Sequence, residues 1–489
     1  MKKSKKVLAI AALSTVALTL AACGSNNNSG GNSGGSDGDV PTLTMYRQGD
    51  APINYDDLIG KANEILEEKV GAHLKMEFVG WGDWDQKMST IVASGEAYDI
   101  SIAQNYVTNA QKGAYTDLTD MLPDLAKTAY ENLPESYITG NLIGDKLYAF
   151  PINGNVYGQQ MMTFNQELIE KYGLDISNVG DSYASATDVL TKFHEQEPNT
   201  PAFAIGKDFK ASGNYDYPLG NGYPFAVKSE GTGTPTIINQ YDDDEFVANL
   251  VTLHEWYTAG LIPTDAATSS QPYNLNENTW FMREETQGPL DYGDNALTNA
   301  AGKELVSQPL TKPFKSTGQA QMANYVVGNT SKNKELAVKL LGELNSNPEL
   351  LNLLVYGIEG EQWEKVDDDT IKLLDGYQAD THLGAWNTGD NTILYTTENI
   401  TDEMISERDE SIENSVESPI LGFNFNTDSV KTEITNIANV MNRYVSTINT
   451  GTLDPKDTLP ELLAGLEQAG WAKVQEEMQT QLDEFYANK

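Results

Sequence analysis

Between Thr42 and Ala103 the spacing of apolar residues switches repeatedly between two and about 3.6, and few folds accommodate that switching. Leu43 and Met45 alternate with threonines over residues 42–46, as on a half-buried strand. Leu58, Ala62, Ile65 and Leu66 then recur at helical spacing, with Gly71 placed to stop the helix. A second strand over 74–79 ends at Gly80, a helix spans 84–93, and the turn Ser94-Gly95-Glu96 leads into a strand over 99–103. Strand, helix, strand, helix, strand is the pattern of a doubly wound α/β sheet. Ligands of such sheets sit at the carboxyl ends of strands, so the loops after Tyr46, Val79 and Ala103 are the first places to look.

The pattern breaks near Gly144. A strand over 147–152 is closed by the loop Asn153-Gly154-Asn155, with Thr163-Phe164-Asn165 and a helix beyond. Gly-, Pro- and Tyr-rich loops fill 213–235, and a helix is expected over 246–259. Leu336, Ala337, Leu340, Leu341 and Leu344 form one apolar helical stripe, and 430–441 and 474–485 form two more. Each stripe reads as core packing in preference to a partner surface. The body from Val40 to Lys489, about 450 residues, has room for two or three domains.

The first residues speak to compartment. Lys2, Lys3, Lys5 and Lys6 precede an apolar run over 7–20, which closes on Leu20-Ala21-Ala22-Cys23-Gly24. That run falls short of the roughly 20 residues that span a bilayer, so it reads as a secretion signal over 1–22. Its end resembles a bacterial lipobox, which implies acylation of Cys23 and a lipid anchor in the membrane. Cys23 is the single cysteine of the chain, so an internal disulfide is excluded. Residues 25–39 are Ser, Asn, Gly and Asp, a flexible tether between the anchor at 23–39 and the body. The spacing of a nucleophile elbow at Gly31–Gly35 falls inside this tether, without the strand and helix that such a serine needs. Removing residues 1–22 takes four lysines and no acid, which moves the formal net charge from −39 to −43. So acidic a field disfavours nucleic acid as a partner.

Several short motifs, in order, resemble the family 1 extracellular sugar-binding proteins of ABC importers. They are Ala93-Ser94-Gly95-Glu96-Ala97-Tyr98-Asp99-Ile100, Gly113-Ala114-Tyr115-Thr116-Asp117-Leu118-Thr119 and Gly144-Asp145-Lys146-Leu147-Tyr148-Ala149-Phe150-Pro151. Phe164-Asn165, Gly260-Leu261-Ile262-Pro263, Gln287-Gly288-Pro289 and Asn333-Lys334-Glu335-Leu336-Ala337 follow. Tyr356-Gly357-Ile358-Glu359-Gly360, Ser418-Pro419-Ile420-Leu421-Gly422-Phe423 and Ala469-Gly470-Trp471 are similar to a lipoprotein subgroup with a distinct C-terminal domain, common in Gram-positive bacteria. The resemblance implies an α/β, two-lobe, type II binding-protein fold with hinge-linked lobes, a ligand cleft between them and a helical C-terminal extension. On that reading 40–152 and 319–366 form the first lobe, 158–318 belong to the second, and 367–489 complete the second lobe and hinge. It also implies a monomer at the outer face of the membrane, a permease with its ATPases as partner, no enzymatic activity and no cofactor. The implied ligand is an oligosaccharide.

Sugars are held by flat apolar faces against the ring and by polar groups that answer its hydroxyls. Loops at the expected positions offer Trp81, Trp84, Gln104, Asn105, Asn153, Asn155 and Tyr157. The second lobe and C-terminal part add Asp291, Tyr292, Trp386 and Asn387. Arg47 and Asp50 form either a bidentate contact to ligand or a surface pair. His73, His194, His254 and His382 lack metal-ligand spacing, and no EF-hand-like calcium loop follows the helix over 187–197. Three other readings stand beside this one: a glycoside hydrolase with two facing carboxylates, the same fold for a peptide, a polyol or a signal presented to a sensor, and a surface adhesin.

Overall fold

The alternation over 42–48 is what seats the first strand inside its five-stranded sheet, second from one edge. Leu43 and Met45 are fully buried on one face, and the strand Thr42–Gln48 pairs in parallel with His73–Val79 over its whole length, from Thr42↔His73 to Gln48↔Val79. Its other edge takes Ile100–Ile102 in parallel, with Met45 opposite Ile100. This is a computed structural model, and it describes residues 40–488 other than Thr232 and Pro272. The signal, Cys23 and the tether lie outside the described residues.

The helix between the first two strands, Tyr55–Val70, buries Leu58, Ala62 and Leu66 at four-residue spacing. It stops at Gly71, whose φ of 74° is a left-handed conformation that suits glycine and lets its N–H bond the carbonyls of Leu66 and Glu67. The helix Trp84–Ser94 turns inward Trp84, Met88 and Ile91. Three strands of the sheet are therefore wound as expected. The fourth, Asn324–Val327, arrives from far downstream and pairs antiparallel with Ile100–Ile102, then with Phe150–Pro151. The single strand expected over 147–152 is divided. Lys146–Leu147 folds back on Leu142–Ile143 around Gly144, and Phe150–Pro151 takes the sheet edge, where a proline without an N–H is tolerated.

A second sheet has Gln159–Asn165 at its centre, flanked antiparallel by Met282–Gln287 and Leu305–Pro309. Each sheet owns a separate apolar core. The first core draws on residues between Leu43 and Ile152, between Ala323 and Leu354, and on Leu383. The second draws on residues between Met162 and Leu310 and between Ile420 and Leu482. The chain thus passes between the cores three times, in the stretches 153–161, 311–322 and 384–419.

Phe193 stacks on Phe281 within the second core, 4.2 Å between ring centres. Three C-terminal helices close that core, Lys431–Asn449, Pro455–Ala469 and Trp471–Ala487. The middle one is absent from the sequence reading, although Asp454 as cap and Pro455 in the first turn mark its start. Its interior Pro460 costs one backbone hydrogen bond, which burial of Leu459, Leu462 and Leu466 outweighs.

Candidate functional site

At the carboxyl ends of the first two strands, Gly49 and the Gly80-Trp81-Gly82 loop lie together. Gly49 has a φ of 105°, and a side chain there would meet the Trp81 indole at 3.6 Å. Trp81 is 59% exposed and stacks on Trp386, which is 41% exposed, with ring centres 6.0 Å apart and planes 22° from parallel. Two large indoles left this open are unusual, because each can bury about 150–250 Å² of surface. They form an apolar surface that continues into a cavity.

Trp386 belongs to a short helical turn, Ala385–Asn387, which Arg47 grips from the first strand. Arg47 Nη1 donates to the Tyr325 hydroxyl and to the Asn387 carbonyl, both at 3.0 Å. Its Nη2 donates to Asn387 Oδ1 at 2.6 Å and to Thr388 Oγ1 at 2.9 Å. Arg47 is 2% exposed, so it neither reaches a ligand nor pairs with Asp50 at the surface. Asp50 is exposed and lines none of the cavities described below. Asn387 is likewise buried and committed to Arg47. Both side chains are committed to holding the turn that carries Trp386.

A cavity of 610 Å³ opens beside Trp386, within the size range of small-molecule sites. Asn155 and Asp291 meet at its wall, where Asn155 Oδ1 accepts the Leu290 N–H at 3.0 Å and its Nδ2 faces Asp291 Oδ2 at 3.5 Å. This contact needs Gly288, because a Cβ there would lie 2.2 Å from Asn155. Burial pushes the Asp291 carboxyl above its ordinary range, against the hydrogen bonds from Gly288 and Asn155. Tyr292 sits at a φ of 51°, and its hydroxyl accepts from Arg408 Nη1 at 2.9 Å. Arg408 lies on the helix Asp402–Asn414, which packs against the 289–291 turn.

The cavity is also lined by Tyr356, Tyr377 and Tyr395. Burial pushes the Tyr377 hydroxyl up to about 12, and its ring stacks on His382 with 4.3 Å between centres. Asn295, Asn299 and Asn391 supply amides to the same space. Aromatic faces, amide groups and one buried acid can hold a polyhydroxylated ligand. Among the described residues no group of three His, Cys, Asp or Glu side chains is placed to hold a metal.

Four of the expected residues, Asn155, Asp291, Tyr292 and Trp386, therefore line one cavity, and Trp81 joins it through Trp386. Others are placed elsewhere. Trp84 is 2% exposed in the first core with Met88 and Ile91, because it occupies the inward face of its helix. Gln104 and Asn105 line a different cavity, of 460 Å³, made wholly of residues from 89–114 and 329–330. A ligand there touches one core's side only. Asn153 is buried with its Nδ2 on Asp390 Oδ1 at 3.0 Å, and the Asn391 N–H donates to its carbonyl. Tyr157 is buried with its hydroxyl donating to Ser411 Oγ at 2.8 Å. These two brace the crossings. A further cavity of 220 Å³ is lined by residues 158–319 and takes none from the first three strands.

The sequence reading missed Tyr356, Tyr377, Tyr395, Asn295, Asn299 and Asn391 as site residues. The only signal available for the tyrosines is their density between 356 and 395.

The model of the bacterial extracellular solute-binding proteins matches residues 53–349, and a domain of unknown function, DUF3502, matches 419–487. A carbohydrate ABC transporter substrate-binding protein of Streptococcus pneumoniae serotype 4 is 48% identical over 493 residues, 100% of both chains. The crystal structure of the N-glycan transport solute-binding protein NgtS from Streptococcus pneumoniae is also 48% identical. It covers 92% of this chain and 99% of its own, with a TM-score of 0.89. The same protein in complex with Man1GlcNAc, covering 91% of this chain and 99% of its own, superposes at 0.82. In complex with Man5GlcNAc, covering 92% and 99%, it superposes at 0.79.

Proposed function

The chain belongs to the bacterial extracellular solute-binding proteins, and we propose that this member captures an oligosaccharide by closing two lobes and delivers it to an ABC importer. The observation that carries the reading is the 610 Å³ cavity. Trp386, whose turn Arg47 holds from the first strand, lines it together with Tyr292, Asp291 and several amides. An indole face covers the apolar side of a pyranose, and amides answer its hydroxyls.

The NgtS complexes support both the ligand class and the motion. Man1GlcNAc and Man5GlcNAc name glycans of mannose and N-acetylglucosamine as the first ligands to try. At one sequence identity, the TM-score falls from 0.89 to 0.82 and 0.79 in the sugar complexes, so those forms differ more in shape from this chain. Hinge closure about the crossings at 153–161, 311–322 and 384–419 fits that difference. We take the first lobe to be the body of the first core and the second lobe to be that of the second, with the C-terminal helices in the latter.

The protein acts outside the cell as a monomer held by an acylated Cys23, whose tether over 25–39 lets it meet the permease. Among the described residues no helix is long and apolar enough to cross a membrane.

Titration calorimetry of the protein without its leader tests this reading, with Man1GlcNAc, Man5GlcNAc, a glucose oligomer and short peptides in the cell. Binding of the mannose glycans is expected. A glycan at about 100 times its dissociation constant should also raise stability by roughly 2.7 kcal/mol. Recovery of the glycan intact after overnight incubation separates capture from hydrolysis. Heat with peptides alone would overturn the sugar assignment, and shortened glycan would favour the hydrolase.

A further inference from the structure

The two exposed indoles are mounted very differently. Trp386 is fixed: Arg47 holds the residues after it, and Gly154 packs so close that a Cβ there would lie 3.3 Å from the Trp386 carbonyl oxygen. Gly384 packs at its indole edge, where a Cβ would stand 3.3 Å from Nε1. Trp81 has no such support. It lies between Gly80 and Gly82, and a side chain at either glycine would meet nothing within 4 Å. Its own indole makes no hydrogen bond among the described residues and rests on the bare backbone of Gly49.

The spacing of the pair also matters. A pyranose between two aromatic faces needs them about 7–8 Å apart, twice an ordinary carbon–carbon contact of 3.5–4.0 Å. Trp81 and Trp386 stand closer, at 6.0 Å and nearly parallel, so the inner face of Trp386 is already occupied. That face is an indole surface beside the cavity, and the chain sets its own Trp81 side chain against it.

We propose that Trp81 is a displaceable cover on Trp386, and that a pyranose ring of the ligand moves it outward to lie between the two indoles. The proposal rests on the oligosaccharide reading and adds to it a subsite outside the 610 Å³ cavity, with an order of events. The glycine on each side supplies the loop freedom that the motion needs. Trp386 stays in place because its mount is buried.

Surface plasmon resonance with immobilised protein and Man5GlcNAc separates a cover from a fixed platform. Trp81→Ala removes both the competitor and the outer wall. Association is expected to quicken about threefold or more, and dissociation to quicken further, so that affinity falls through the off-rate. Gly80→Ala/Gly82→Ala keeps every contact and stiffens the loop; association is expected to slow by about threefold. Both variants change exposed positions, and an unchanged melting temperature serves as the folding control. In the wild-type protein the circular-dichroism couplet of the stacked indoles, assigned by its loss in Trp386→Phe, is expected to vanish on ligand addition. Unchanged association in both variants, or a couplet that persists in the complex, overturns the cover while leaving sugar capture intact. If wild-type protein binds no oligosaccharide, the functional reading falls and the cover falls with it.

Discussion

Two ionisable side chains, one beside each core, have neutral hydrogen-bond partners, and the two do different work. Arg47, at the end of the first strand, is held by Tyr325, Asn387 and Thr388, and through them it sets Trp386 at the cleft. Glu284, on an outer strand of the second sheet, accepts from the Tyr183 hydroxyl and from Ser212 Oγ. A guanidinium keeps its proton in a protein, so the two terminal nitrogens of Arg47 donate to their four acceptors at any ordinary pH. A carboxyl can escape burial by taking a proton. Burial pushes Glu284 from its ordinary 4.5 up to about 7, against the hydrogen bonds from Ser212 and Tyr183. The comparison teaches that a buried charge which cannot neutralise is spent on geometry, whereas one that can neutralise becomes a pH-dependent term in stability.

The strongest way to break this comparison is Arg47→Met. It leaves the Asn387 and Thr388 acceptors without donors in a buried place, although it also removes an unpaired charge. Four lost charge-assisted hydrogen bonds outweigh the relief, and stability should fall by about 3–4 kcal/mol in urea unfolding. Glycan binding should disappear with it, because Trp386 loses its mount. Intact binding at unchanged stability would show that Arg47 holds nothing.

Glu284→Gln gives the next effect. The folded state binds the Glu284 proton more tightly than the unfolded chain does. The stability it contributes is therefore full below about 4.5 and lost as pH rises through about 7. Urea unfolding at pH 5 and pH 8 should show the wild type losing on the order of 2–3 kcal/mol between them from this group, a loss absent in the variant. Glycan affinity in the variant should stay at the wild-type value, since no cleft residue depends on Glu284. A parallel loss in both proteins would assign the pH dependence elsewhere.

Trp386→Ala sharpens the comparison from the side of function. The ring is partly exposed, so the fold should barely register its removal. Binding should weaken by about 2 kcal/mol, near thirtyfold, from lost stacking and lost apolar burial. Calorimetry with Man5GlcNAc reads the affinity and a melting curve reads the fold. An equal fall in both would mean that the turn at 385–387 is a core element and not a ligand surface.

The three strands of the first sheet were legible because their signals are local. Leu43 and Met45 alternate, Leu58, Ala62 and Leu66 repeat at helical spacing, and Gly71 ends the helix where only neighbouring carbonyls matter. The strand Asn324–Val327 carries no such mark of its address beside Ile100–Ile102, since that pairing depends on where the chain returns after the second lobe. The candidate site was legible only in part. Trp81 and Trp84 stand three residues apart in similar company, yet one is open and one is core. Trp84 begins a helix whose inward face it shares with Met88 and Ile91, whereas Trp81 precedes that helix. Arg47 reads from the sequence as either a ligand contact or half of a surface pair, because its acceptors lie some 278 to 341 residues away, beyond the reach of any local pattern. Tyr356, Tyr377 and Tyr395 went unnoticed for the same reason.

What the sequence by itself determined is therefore the set of elements and the family they compose: periodic strands and helices, glycine stops, and an ordered run of short motifs. Tertiary structure alone decided which polar and aromatic groups remain free for a ligand. Whether Asn387 faces a sugar or Arg47, and whether Trp81 lies open or covers Trp386, is a competition between ligand and protein for the same hydrogen bonds and the same ring faces. That competition is settled by contacts between distant segments, and neither residue type nor spacing along the chain records them.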